Sequence, residues 1–176
     1  MDRPFCFHPF LRPMVWGGRR LATLLGKSLP GGEPYGEAWE VSDHPLHRSI
    51  VAAGPLAGVS LRDLMTERRA ALLGPAAGRY DTFPWLIKLL DAADWLSVQV
   101  HPDERSVREL WPGEGSKTEA WFIVDAAPGS RIYAGLRPGV ARPDLLAALE
   151  AGTVAAVASV ASLLLYRLEP RVIYHL

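Results

Sequence analysis

Turns cut this 176-residue chain into short apolar runs, and that punctuation decides most of what it can fold into. AWEVS (Ala38–Ser42), SIVAAG (Ser49–Gly54), PWLIKLLDA (Pro84–Ala92), WLSVQV (Trp95–Val100), TEAWFIVDA (Thr118–Ala126) and SRIYAGL (Ser130–Leu136) have strand length, with turn residues between them. LLLYRLEP (Leu163–Pro170) reads as a last short strand. The runs at Pro84–Ala92 and Trp95–Val100, joined through a DAAD turn, read as paired neighbours. Such strands do not alternate regularly with helices, so a Rossmann-type sheet is not expected, and neither G-x-G-x-x-G nor a P-loop is present.

Other segments carry helix signals. Ser60 and Asp63 match a capping box ahead of LRDLMTERRAALLG, where Leu61, Leu64, Ala71 and Leu72 recur at helical spacing and Gly74 is a stop. Pro102, Asp103 and Glu104 suit a helix first turn, acids at its positive end, for a helix ending near Trp111. Pro143 and Asp144 open another, closed by Gly152. Arg19–Leu25 reads as a short helix, and so does the Ala/Val-rich stretch after Thr153. The rest of residues 1–36 is rich in Pro and Gly and reads as loop, ordered by Phe5, Phe7, Phe10 and Trp16. The expectation is one mainly β domain over residues 1–176, an antiparallel sandwich or barrel with a few helices in insertions.

Charge and cysteine content narrow the function classes. Nineteen basic residues balance nineteen acidic ones, and Arg19-Arg20 and Arg68-Arg69 are too short for a phosphate-binding patch, so no nucleic-acid partner is expected. Cys6 stands alone, which excludes an intrachain disulfide and a Cys-rich zinc motif. MDRPFCFHPFLRPMVWGG has no continuous apolar segment, and the longest apolar run, Thr153–Tyr166, is too short to span a bilayer. The expectation is therefore a cytoplasmic protein with neither signal peptide nor membrane anchor.

Chemistry concentrates in LSVQVHPDE (Leu96–Glu104) and SKTEAWFIV (Ser116–Val124). In an extended strand alternate side chains share a face. Ser97, Gln99 and His101 then point one way, as do Lys117, Glu119 and Trp121 on the next run. Were the two polar faces to meet, an amide, an imidazole and a carboxylate would converge, a set that suits zinc or a similar divalent ion. The same residues also read as a strand-end histidine, an exposed strand acid and, for Lys117, an ion pair with Glu119 or Glu114. His8, His44 and His47 sit in Pro-rich loops and read as surface or turn residues, and Trp16-Gly17-Gly18 as a turn that packs its indole onto the domain.

VWGG at Val15, GEAWEVSDHP at Gly36, PWLIKLLDA at Pro84, LSVQVHPDE at Leu96, GSKTEAWFIV at Gly115 and LRPGV at Leu136 follow one another in order. With these pieces the chain resembles the type I phosphomannose isomerases, zinc enzymes built on cupin-type β-barrels. The resemblance implies a jelly-roll-type cupin barrel acting on a small phosphosugar, interconverting mannose 6-phosphate and fructose 6-phosphate through an enediolate, with the metal as Lewis acid. It implies that Gln99, His101 and Glu119 ligate Zn²⁺, that Lys117 transfers a proton or stabilises charge, and that Ser97 and Trp16 border the substrate. Members of the family continue past the Leu-rich strand into a segment that supplies another His ligand, and later an Arg. Here VIYHL follows at once, so a C-terminally short domain is expected, with His175 either standing in as a ligand or lying in a tail. The alternative to an isomerase is a non-catalytic cupin fragment that binds metal or sugar.

Overall fold

The structure, a computed structural model, describes residues 4–97, 99, 101, 103–113, 115–132 and 135–153, and the backbone of 173–175. It comprises two compact units, Met1–Val98 and Gln99–Leu176. The first runs β1 (Phe10–Gly18), α1 (Arg20–Thr23), β2 (Tyr35–Val41), β3 (Asp43–His44), β4 (His47–Arg48), α2 (Leu61–Leu73) and β5 (Ile87–Leu90), with a 3₁₀ turn at Gly74–Arg79. The second contains α3 (Glu104–Leu110), β6 (Ala120–Phe122), α4 (Arg142–Glu150) and β7 (Ile173–His175).

In the first unit β1, β2 and β5 form an antiparallel sheet with β2 in the middle. Its central place buries Tyr35 through Trp39 without interruption, and Tyr35 and Ala38 pack with Leu21 at the core, lined by Leu11, Leu25, Leu29 and Leu89. A buried carboxylate on such a strand needs partners, and each strand of the sheet supplies one. Glu37 accepts from Arg12 Nη1 of β1 (2.6 Å), Lys88 Nζ of β5 (3.1 Å) and its own strand's Trp39 Nε1 (2.8 Å). Burial alone would raise the Glu37 carboxyl, but these donors and the two cations hold it below the usual range.

The nine-residue β1 replaces an expected Pro-rich loop. Pro13 has no N–H to give a ladder, yet it sits where the register breaks, and pairing resumes only at Gly18. Between them the chain bulges outward, leaving Val15 96% exposed. Gly17 is required at this return: a Cβ there would lie 2.4 Å from the Tyr35 carbonyl carbon. β5 pairs with β2, and not with the Trp95–Val100 run, whose described residues form no strand. The Ser49–Gly54 strand reduces to bridges of Ile50 with Ser60 and Val51 with Phe7. His47 is no surface residue: its ring stacks on Phe10 at 4.3 Å, and burial lowers its pKa.

Helix starts follow their caps. Ser60 Oγ accepts from Asp63 N at 3.1 Å, and α2 buries Leu61, Leu64 and Met65. Asp103 Oδ1 accepts from Ser106 N at 2.7 Å and opens α3. In the second unit β6 pairs antiparallel with β7. The expected Thr118–Ala126 strand shrinks to β6, while residues 133, 134 and 154–172, with the Ala/Val-rich stretch and LLLYRLEP, lie outside the described residues. The architecture is thus antiparallel strands with a few helices. Among the described residues the ladders form one three-stranded and two two-stranded sheets, not a closed barrel. No helix among them is long and apolar enough to cross a membrane.

Candidate functional site

Two segments of the second unit bring the polar residues together. His101 lies two residues before the Asp103 cap that turns the chain into α3, and Glu119 immediately precedes β6. His101 Nε2 and Glu119 Oε2 are 2.6 Å apart, and Lys117 Nζ donates to the same oxygen at 3.0 Å. The His101 and Glu119 side chains are only 19% and 13% exposed, whereas that of Lys117 is 48% exposed. The acid–imidazole pair is therefore sheltered, and the ammonium faces solvent.

Burial of Glu119 acts to raise its carboxyl, but hydrogen bonding from His101 and Lys117, with the Lys117 charge, outweighs it and brings the pKa to about 2. Glu119 is thus a carboxylate at neutral pH. The Trp121 indole Nε1 is buried and has no hydrogen-bond partner among the described residues.

Three of the seven residues singled out from the sequence thus meet: His101, Lys117 and Glu119. Gln99 is exposed, with an interaction of its own. Ser97, also exposed and engaged, belongs to the first unit. Trp16 lies in the same unit, half-buried near the end of β1, its carbonyl accepting from Ala93 N and Asp94 N. The His175 backbone pairs with Ala120, the residue after Glu119. Of the two ion pairs open to Lys117, the one with Glu119 forms, and Glu114 lies outside the described residues. Sequence reading put Trp121 on the Glu119 face but gave it no task, and it missed the Glu37 cluster. The signal for the latter was Glu37 and Trp39 two apart on a fully buried strand.

The sheltered pair has the donor chemistry of a zinc-class site, one imidazole nitrogen and one ionised carboxylate. Among the described residues no third His, Cys, Asp or Glu joins them, so the pair by itself falls short of the three or four ligands such a site needs.

Comparison with known proteins gives the chain its relatives. The family described as phosphomannose isomerase type I, catalytic domain, matches residues 5–128. A mannose-6-phosphate isomerase of Streptococcus mutans is 41% identical over 135 residues, 77% of this chain and 41% of that protein. One of Escherichia coli is 41% identical over 117 residues, 64% of this chain and 28% of the relative. The crystal structure of the mannose 6-phosphate isomerase of Bacillus subtilis superposes with a TM-score of 0.84 at 31% identity, over 99% of this chain and 52% of that one. The chain spans about two fifths of the length of the first of these relatives.

Proposed function

Because the chain belongs to the type I phosphomannose isomerase family, we propose that it carries the metal-binding half of an aldose–ketose isomerase that interconverts mannose 6-phosphate and fructose 6-phosphate. The observation that carries the reading is the contact of His101 with Glu119, with Lys117 on the same carboxylate oxygen. His101 and Glu119 would hold Zn²⁺, with Gln99 as a weaker third ligand. His175 is the candidate for a fourth, supported by its backbone pairing beside Glu119. A bound zinc-class ion supplies Lewis acidity toward the sugar oxygens at carbons 1 and 2.

The chain's own residues do the remainder. Glu119, held as a carboxylate at neutral pH, would present its negative charge to the cation. Lys117 Nζ, open to solvent while donating to Glu119, would meet an entering sugar and, as the ammonium, stabilise charge as it develops, or, as the neutral amine, take and return the proton that moves between the two carbons. Ser97 and Trp16 border the phosphosugar in this reading, inside a cupin barrel of jelly-roll type. The single domain and the cytoplasmic setting belong to the same proposal, which involves no nucleic acid.

A second reading has its own observation. Only two carboxylate or imidazole donors meet among the described residues, as suits a cupin fragment that binds metal or sugar without turnover. Two measurements separate the readings. Protein purified without chelator should contain zinc that a His101→Ala, Glu119→Ala double variant lacks; equal metal content in both would end the metal assignment. A coupled assay for fructose 6-phosphate with added Zn²⁺ should then find turnover that the double variant lacks. Complete absence of turnover with zinc bound would favour the fragment.

A further inference from the structure

We propose that Asp91 is the positioning residue of the Trp16 indole, its buried carboxylate locking the β1 return that seats the ring on the bare α-carbon of Gly36. The inference rests on reading Trp16 as a residue that borders the phosphosugar, and goes beyond it by assigning a residue that this reading leaves without a task.

Trp16 stands in the bulge of β1, between Pro13, where pairing breaks, and Gly18, where it resumes. No regular ladder aims its side chain, so other contacts must. The Trp16 carbonyl accepts from Ala93 N at 3.0 Å and Asp94 N at 3.1 Å, and Gly17 bridges Ala92. The half-buried ring lies over Gly36 of β2, where an added Cβ would sit 2.6 Å from Trp16 Cζ3. Asp91 touches both sides of this seat. It is 5% exposed, and its N–H donates to the Gly36 carbonyl at 2.9 Å. Its Oδ2 accepts from Arg20 N at 2.5 Å, and an added Cβ on Gly18 would lie 2.8 Å from the same oxygen. Arg20 opens α1, whose N-cap residue Arg19 makes no side-chain bond, so the carboxylate supplies an acceptor that the local sequence lacks. One residue thus holds the strand under the ring and the chain just after it. A half-buried indole fixed in this way presents a flat apolar face, the kind of surface onto which the C–H face of a hexose packs.

The seat is readable without a ligand. A ring lying over Gly36 should move a Gly36 Hα signal upfield in ¹H–¹³C spectra, a displacement identified by its loss in Trp16→Ala. Asp91→Ala should lose most of it, whereas Asp91→Asn, whose amide oxygen can still accept from Arg20 N, should keep it. Mannose 6-phosphate with added Zn²⁺ is the probe for the second readout. Asp91→Ala should bind it about 2–10-fold more weakly than the native chain, the size of a misaligned aromatic contact, and Asp91→Asn should bind it like the native chain. In a Trp16→Ala background Asp91→Ala should weaken binding no further, an outcome that a merely structural role would not give. If Asp91→Ala does not fold, Asp91→Ser, one bond too short to keep the Arg20 contact, takes its place in both measurements. A Gly36 displacement that survives loss of the carboxylate overturns the proposal, and so does equal weakening with and without Trp16. A native chain that binds no mannose 6-phosphate overturns it too, whatever the isomerase assay returns. Binding that depends on Asp91 without any turnover removes the isomerase reading and leaves this one standing.

Discussion

Glu37→Gln tests whether the three-stranded sheet is held by the charge at its centre. The native carboxylate accepts from Arg12, Lys88 and Trp39, one donor from each outer strand and one from its own. Hydrogen bonds to a charged group contribute roughly 1.5–3 kcal/mol each. That full sum does not apply here, because the Arg12 and Lys88 side chains retain 33% and 20% exposure and rehydrate when the charge is removed. The Gln amide keeps one oxygen, which can accept at most two bonds, so Arg12, Lys88 and Trp39 compete for it while its NH₂ meets a cation. The expected loss is about 2–3 kcal/mol, at the lower edge of that for breaking a buried pair. For a chain of this size it amounts to roughly 5–10 °C in melting temperature. Urea unfolding followed by circular dichroism measures it. The pH dependence gives a second signature. The folded Glu37 pKa lies below its ordinary 4.5, so its contribution is complete above that value and is lost as pH falls through the folded pKa. Native stability should therefore fall more steeply below pH 4.5 than that of Glu37→Gln. A loss under about 1 kcal/mol together with parallel acid limbs would refute the reasoning.

Two other perturbations probe the elements around the sites. Ser60→Ala removes the acceptor for Asp63 N and should lower stability by about 1 kcal/mol by denaturant titration, with α2 otherwise intact; no change would mean the cap contributes nothing. Gly17→Ala places a methyl 2.4 Å from backbone atoms that cannot rotate aside, so the cost should exceed the roughly 1–3 kcal/mol of ordinary overpacking, and a thermal melt that matches the native chain would contradict the close approach.

Local signals were the legible ones. The Ser60–Asp63 box opens α2 one residue later, and Asp103 caps a helix that ends at Leu110, because a cap and the turn it starts lie within four residues. Pairing partners were not legible in the same way. PWLIKLLDA looked like the neighbour of WLSVQV because a turn joins them, yet β5 bonds to β2, some fifty positions earlier, where Glu37 waits for Lys88. Pro13 concealed β1 for a related reason. Its missing N–H argues against a strand only if the ladder is regular there, and no local pattern announces that the register breaks at that residue.

The candidate site shows how a correct contact can arise without its expected cause. Two facing strands with a two-residue period were to bring His101 to Glu119. The atoms do meet, at 2.6 Å, but the described residues around His101 form no ladder, and Glu119 stands just outside β6. What delivers the histidine is the Asp103 cap that turns the chain, and what delivers the acid is the start of a three-residue strand. The residue types encoded the chemistry, since an imidazole and a carboxylate sheltered from water need each other or a cation whatever backbone presents them.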